Sequence, residues 1–459
     1  MAQDLAGLAH VRRKFRPHNV DAQVIILNTG ALVGPEADAM LQALHSRSIG
    51  GFDSHFEVLI KRGAEHFMRT YYVGYGHKSI GDCGSTTIFI EGVSMLCAKA
   101  IQDWRLYSGQ EASTRYIDFS TQPFVDPIGS ETSSSLLKDH REEYLLALDE
   151  LKDYLTNQYP RLEGEDEKKY EKNINARAFD ISRSLLPAGA STNLAWHTNL
   201  RQAADHLALL RHHPLPEVRS VALAIEDALL EAYPNSFSSK RYEATEEYNE
   251  RIMKSYYHEQ DGLSNDVIIT NIGISRVMIA NYAPLLRNRP LWAELPRKID
   301  ECGMLTYEFA LDFGSFRDIQ RHRAVIQQMP LVTMSHGFEP WYLEQMPTQL
   351  ATRVADELIG FKANLSSHDF GELPDVQRQY LIPMGYKLPN RITGGLHGIT
   401  YLAERRARSD VHPTLQTRAH QIADDLRERF REFGMVVHTE DDPGRFSRKR
   451  SEQDIVMVN

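Results

Sequence analysis

The sequence has few cysteines, three in 459 residues (Cys83, Cys97 and Cys302), and no CxxC pair, which excludes a disulfide framework. It also lacks an apolar run approaching the roughly 18 residues of a membrane helix. The longest candidate, Val24–Val33, is broken by Asn28, Thr29 and Gly30. A basic excess is missing too: 52 Lys and Arg stand against 62 Asp and Glu, a formal charge of −10. Diffuse acidity of this kind argues against duplex binding as the main role, yet it leaves room for a local basic pocket that takes a small phosphorylated ligand. The first residues, MAQDLAGLAHVRRKFRP, do not follow the charged-then-apolar order of a secretory signal. Together these features lead to the expectation of a soluble, cytoplasmic protein.

Familiar catalytic signatures are absent as well. There is no His-Glu-x-x-His, no nucleophile elbow and no Walker loop, and the adjacent His212 and His213 cannot easily point at one ion. Gly74-Tyr75-Gly76-His77 is too short for a dinucleotide fingerprint, so a bound dinucleotide would need a non-Rossmann site.

With 42% hydrophobic residues, the chain can build ordinary globular cores, and its length allows about two to four domains. A polar, turn-rich passage at Pro234–Ser264 suggests a boundary, giving domains 1–240 and 241–459. Apolar residues spaced by three and four predict helices over Leu136–Tyr159, Val218–Tyr233 and Thr417–Phe433. Short β-branched or aromatic runs predict strands at Gln23–Leu27, Thr86–Ile90 and Asp266–Thr270. The charged Glu163–Lys172 cluster and the basic Arg445–Arg450 segment read as solvated. Ile101-Gln102-x-x-Arg105 recurs as Ile319-Gln320-x-x-Arg323, and Leu207-Ala208 with Arg211 is echoed by Leu402-Ala403 with Arg408. These offsets of about two hundred residues keep their order, which favours a diverged tandem duplication.

Two stretches are dense in functional groups. In the first, Val93, Cys97, Ile101 and Trp104 form an apolar helical face, the chain breaks at Ser108-Gly109, and Glu111, Ser113 and Arg115 follow on alternating positions. In an extended segment these three point the same way, which suits a ligand with a phosphate; the alternative is a surface strand with an internal Glu–Arg pair. In the second, Ser315–Gln328 is expected to be helical, with Phe316, Ile319 and Ile326 buried and Arg317 and Arg321 on another face beside His322 and Arg323. So many cations need an anion nearby, either a pyrophosphate or acidic neighbours, unless they form a solvated face.

These residues resemble the flavin-dependent thymidylate synthases. Gly76-His77-Lys78-Ser79 precedes Thr86–Glu91, and Glu111-Ala112-Ser113-Thr114-Arg115-Tyr116 closes the motif. Arg183-Ser-Leu-Leu-Pro187, Asn199-Leu-Arg201 and Leu207–Arg211 follow in the family's order, so the likeness covers about residues 70–235. The first half has Asp103-Trp104-Arg105 where the family has Arg-His-Arg. The second half carries Arg321-His322-Arg323 intact, with Met329, Leu331 and Thr333 where Glu, Ser and Arg would sit. It also has Arg408-Ser-Asp410-Val-His412, similar to the family's Arg-x-Asp-x-His. Each half thus looks like one family domain that has lost what the other keeps.

The resemblance implies an α+β fold in two tandem diverged copies, each a sheet carrying long helices. It implies that Arg321, His322 and Arg323 cradle FAD, with His77, Ser79, Asn199, Arg201 and His412 as further contacts. Arg115, Arg183, Arg211 and Glu111 would hold the nucleotide, and Ser113, the catalytic candidate, would hydrogen-bond the uracil ring. The implied reaction is C5 methylation of dUMP to dTMP, with methylenetetrahydrofolate as the carbon donor and NADPH as the reductant of the flavin. No metal or reactive cysteine is required; Cys83 and Cys97 read as packing residues. The alternatives are methylation of another pyrimidine nucleotide such as UMP, and a non-catalytic nucleotide- or flavin-binding paralogue. Because the family's site lies between subunits of a homotetramer, two tandem chains would rebuild the assembly, and a homodimer is expected, with neither membrane nor nucleic acid as partner.

Overall fold

The computed structural model describes residues 10–445, apart from 17, 28–33, 46–56, 59–60, 66–67, 70–79, 115–116, 239, 261, 368–369, 371–372 and 443. The chain begins with strands β1 (His10–Phe15) and β2 (Ala22–Leu27), helix α1 (Pro35–His45), strand β3 (Ser85–Ser94), helix α2 (Met95–Gln102) and strand β4 (Ser108–Glu111). Two long helices follow, α3 (Glu131–Gln158) and α4 (Glu167–Ser182), then strand β5 (Ser191–Asn199) and helices α5 (Leu200–Leu210), α6 (Pro216–Ala232) and α7 (Glu243–Lys254). The remainder carries strands β6 (Ile268–Ile272) and β7 (Leu305–Asp312), helices α8 (Phe313–Ile319) and α9 (Thr348–Leu365), strand β8 (Lys387–Gly394), and helices α10 (Leu396–Arg406) and α11 (Pro413–Arg429). Helix and sheet are mixed, as expected for an α+β protein. Among the described residues no helix is long and apolar enough to cross a membrane.

The chain forms two compact units that are interleaved rather than consecutive. One comprises 1–129 and 189–256, the other 130–188 and 257–459. A linear division at residue 240 therefore does not describe the packing. The reason lies in α3 and α4: α3 lies against α9, where Arg353 reaches Glu143 at 3.2 Å and Glu150 at 2.7 Å. The helix pair is thus built into the second unit.

In the first unit the antiparallel sheet has the order β1-β2-β3-β5-β4. Its register aligns Ile26 with Ile88 and Trp196, and Val24 with Ile90 and Leu194, so one buried apolar face crosses three strands. Near the end of β3 the chain bulges at Gly92, which has a φ of +72° and where any Cβ would collide with the Asp21 carbonyl oxygen. Ser94 then caps α2, its Oγ accepting from Cys97 N at 3.0 Å. Buried Glu217, in the first turn of α6, accepts from Ser94 N at 2.8 Å and Oγ at 2.6 Å and fixes that junction. Cys97 is fully buried here, a packing position as expected, and burial pushes its thiol pKa up.

In the second unit the antiparallel sheet has the order β6-β7-β8, and every residue of the central β7 is buried. Asp312 ends β7 and caps α8: its carboxylate accepts from Ser315 N at 2.9 Å, Tyr342 Oη at 2.8 Å and Thr414 Oγ1 at 2.6 Å. A strand-to-helix junction, a 3-10 turn, a strand and a helix that starts on proline occur twice in the same order. They run β3–α2, Arg183–Leu185, β5, α5 and α6, and then β7–α8, Gln379–Leu381, β8, α10 and α11.

The helices expected at Leu136–Tyr159, Val218–Tyr233 and Thr417–Phe433 form as α3, α6 and α11, and the three expected strands as β2, β3 and β6. The helix expected over Ser315–Gln328 is shorter, ending at Ile319. Gln327 Nε2 donates to the Ile319 and His322 carbonyls, each at 3.1 Å, and Ile326 N bonds Thr393 O at 2.7 Å, drawing the chain to the edge of β8. Ile326 is consequently 59% exposed rather than buried. Arg445 is not in a free tail either: it pairs with Glu165 at 2.9 Å. Residues 446–450 lie outside the described residues.

Candidate functional site

The shortened α8 delivers Arg321, His322 and Arg323 onto the turn that follows it, where α10 and the segment behind it supply Tyr401, Arg405, Arg406, Arg408 and Asp410. These groups enclose a cavity of about 550 Å³, within the size range of a cofactor site. Asp410 is the one carboxylate among the described lining residues. Such a field of guanidiniums suits a ligand with clustered phosphate charge, because each planar fork can pair two oxygens.

His322 is buried, and its Nε2 accepts from Arg406 Nε at 2.7 Å. Since a guanidinium is always a donor, this contact assigns the imidazole proton to Nδ1. Burial, and then the charge of Arg406, hold the His322 pKa well below its ordinary value, so the ring is neutral at pH 7. The Asp318 carboxyl is raised by burial, but Arg406, Arg321, Arg183 and Arg317 outweigh that effect and hold it below the ordinary range. Asp318 therefore stays ionised and balances part of the cationic cluster.

Of the expected flavin contacts, Arg321, His322 and Arg323 come together here, with the His322 ring hydrogen-bonded to Arg406. The others have different engagements. His412 is buried, with Nδ1 2.9 Å from Thr414 Oγ1 and 3.3 Å from Ser315 Oγ, and Nε2 3.3 Å from the Asp180 carbonyl. Asn199 caps α5 by accepting from Gln202 N at 2.8 Å, and Arg201 pairs with Asp82 at 2.8 Å and Asp205 at 3.3 Å. His77 and Ser79 lie outside the described residues.

The expected nucleotide residues divide between the two units, Arg183 in one and Glu111, Ser113 and Arg211 in the other. Arg115 lies outside the described residues. β4 starts at Ser108, where a break was expected, and ends at Glu111, so the extended run does not reach Ser113, which is exposed. Glu111 instead turns inward: its side chain is 2% exposed and its Oε2 lies 2.6 Å from the fully buried Lys99 Nζ. Arg211 pairs with Glu226 at 2.8 Å and also with Glu246. Arg183 is buried beside Tyr342, Asp180, Asp312 and Asp318; burial lowers its pKa, but these groups together raise it. Where the family's His would be, Trp104 stacks on His206 at 4.6 Å and donates to Gln202 at 3.1 Å, filling that position with an aromatic pair.

Sequence reasoning missed Arg405, Arg406 and Tyr401. The first two stand in the run Glu404-Arg405-Arg406-Ala407-Arg408, a visible charge cluster, whereas Tyr401 carries no local signal.

Comparison with known proteins agrees with the resemblance. Residues 35–235 match the family described as thymidylate synthase complementing protein. A UPF0159 protein of Chlamydia muridarum is 25% identical over 461 aligned positions, covering 86% of this chain and 85% of the relative. The UPF0159 protein Ta1429 of Thermoplasma acidophilum is 23% identical, covering 82% and 88%. A flavin-dependent thymidylate synthase of Mycolicibacterium vanbaalenii is 26% identical over 171 residues, 37% of this chain and 66% of the relative.

Proposed function

We propose that the chain is an FAD-dependent methyltransferase that converts dUMP to dTMP, taking the carbon from methylenetetrahydrofolate and reducing equivalents from NADPH. The observation that carries this reading is the arginine-lined cavity at Arg321-His322-Arg323, in a chain whose residues 35–235 match the thymidylate synthase complementing family. The relative named flavin-dependent thymidylate synthase supports it.

Arg321, Arg323, Arg405 and Arg408 would hold the FAD diphosphate, while His322, fixed by Arg406, sets the shape of the turn. When bound, FAD supplies the hydride that reduces the transferred one-carbon unit to a methyl group. The protein's share is positioning and electrostatics. Ser113 and Arg115 are the groups proposed to meet the nucleotide, in a chain read as two tandem copies of the family domain. The repeated order of junction, 3-10 turn, strand and proline-led helix supports that duplication. A homodimer equivalent to a four-domain assembly is proposed with it; a monomer by light scattering at micromolar concentration would contradict the assembly.

The deciding experiment loads the purified protein with FAD, reduces it anaerobically, adds methylenetetrahydrofolate, and follows reoxidation of the flavin on adding dUMP or UMP. Reoxidation with dUMP is expected; a preference for UMP would move the assignment to the ribonucleotide. Arg321→Ala is expected to weaken FAD binding by about tenfold, read by fluorescence titration. The second reading, a non-catalytic binding paralogue, is favoured by the engagement of Glu111 with Lys99 and of Arg211 with Glu226 and Glu246. It predicts flavin binding without nucleotide-dependent reoxidation.

A further inference from the structure

Trp292 has a backbone φ of +74°, a left-handed conformation that is strained for a bulky residue. Neighbours on both sides hold it there. Ala293 N closes a turn onto the Pro290 carbonyl at 3.2 Å, and the buried Arg289 donates to the Ala293 and Val436 carbonyls, each at 2.7 Å. Arg289 also pairs with Glu404, which in turn accepts from His438 N at 2.8 Å. Core packing does not account for the strain, because Trp292 remains 39% exposed.

What the indole does cover is Arg408, whose guanidinium carbon lies 5.2 Å from the ring centroid. Arg408 lines the arginine cavity, and its side chain is only 11% exposed. Its Nε lies 3.8 Å from an Asp410 oxygen and 3.9 Å from a Glu440 oxygen. A guanidinium over an aromatic ring is attracted by the ring face, which restrains it without using up its N–H donors. The same cavity shows the pattern a second time, with Arg405 over Tyr401 at 5.3 Å.

We infer that Trp292 is a positioning residue for anion binding, holding the Arg408 fork in the orientation that receives a phosphate or diphosphate group. This rests on the reading of the arginine cavity as the diphosphate site. Backbone strain at position 292 is the cost of placing the indole under Arg408.

The test uses the full-length protein, inorganic pyrophosphate as probe, and calorimetric titration alongside thermal unfolding. Glycine is unstrained at this φ, so Trp292→Gly is expected to keep or raise the unfolding midpoint while weakening pyrophosphate binding by about two- to fivefold. Trp292→Phe restores a ring and is expected to recover most of the affinity. Pyrophosphate should change the indole emission of the wild type and leave that of Trp292→Phe unchanged. Unaltered affinity in Trp292→Gly would overturn the inference, as would an emission change that persists in Trp292→Phe. Should Trp292→Gly lower both midpoint and affinity, the Phe variant decides: recovered affinity without the emission change supports the inference, and unrecovered affinity overturns it. Arg408→Ala separates the two readings. If it binds pyrophosphate as the wild type does, the cavity assignment itself fails; if it binds weakly while Trp292→Gly does not, only the role of Trp292 fails.

Discussion

Glu111→Ala is expected to destabilise the unit containing β4 by about 3–5 kcal/mol, the usual cost of removing one partner from a buried ion pair. Lys99 and the Glu111 side chain are 0% and 2% exposed, and their charged atoms are 2.6 Å apart. Gln102 closes a triangle with them, accepting from Lys99 Nζ at 3.0 Å and donating to Glu111 Oε2 at 3.0 Å. Removing the carboxylate leaves a buried ammonium without this counter-charge, on a helix packed into the sheet. The companion Lys99→Met/Glu111→Leu double variant removes both charges together and is expected to recover much of the loss. Urea unfolding of the three proteins measures it; a loss below about 1 kcal/mol in Glu111→Ala would show that the pair is not buried in solution.

The same unit is expected to weaken steeply in acid. His206 and His213 are both buried, and burial lowers their pKa values to about 4 and about 3; Arg219 and His206 add to the shift at His213. His206 Nε2 lies 2.9 Å from the Ile101 carbonyl, which can only accept, so the proton sits on Nε2. Its ring is stacked on Trp104 and meets Trp196 edge-on at 5.4 Å. His213 Nδ1 accepts from Leu215 N at 3.0 Å and is thereby kept unprotonated. Because the folded values are depressed, the contribution of these groups is complete above the unfolded pKa of about 6.5. As pH falls from there toward 4, the unfolded chain takes up protons that the folded one refuses, and stability declines. Each histidine gives a slope approaching about 1.4 kcal/mol per pH unit. Urea midpoints at pH 7, 6 and 5 should fall accordingly, and His206→Asn/His213→Asn should flatten the decline. An equal slope in that double variant would assign the acid sensitivity to other groups.

The legible parts of the sequence were those in which one repeating period decides the outcome. Leu136, Ala147, Leu151 and Leu155 of α3 are all buried, as their spacing requires, and Ile88 and Ile90 of β3 alternate inward as a half-buried strand should. The chemistry of Arg321-His322-Arg323 was legible as a need for anions, and Asp318, 3.6 Å from Arg321, is one acidic neighbour. The extent of α8 was not. The Phe316 and Ile319 spacing continues to Ile326, but the edge of β8, 67 positions further on, takes the backbone of Ile326 and ends the helix first. Glu111, Ser113 and Arg115 were read as one face on the assumption that the strand ran on. A buried lysine on α2 was the better partner for the carboxylate, and no periodicity announces a partner of that kind.

The sequence by itself determined the element types, the acidic balance and the family motifs, because each depends on neighbours within a turn or two of chain. Only the tertiary structure decided which charges face one another. Arg406 meets His322 across 84 residues, and Arg289 meets Glu404 across 115. It likewise decided that residues 130–188 are built into the unit formed by the end of the chain. Local conformational preference acts over a few residues, whereas desolvated charges and apolar faces take whichever partner the completed fold brings to them.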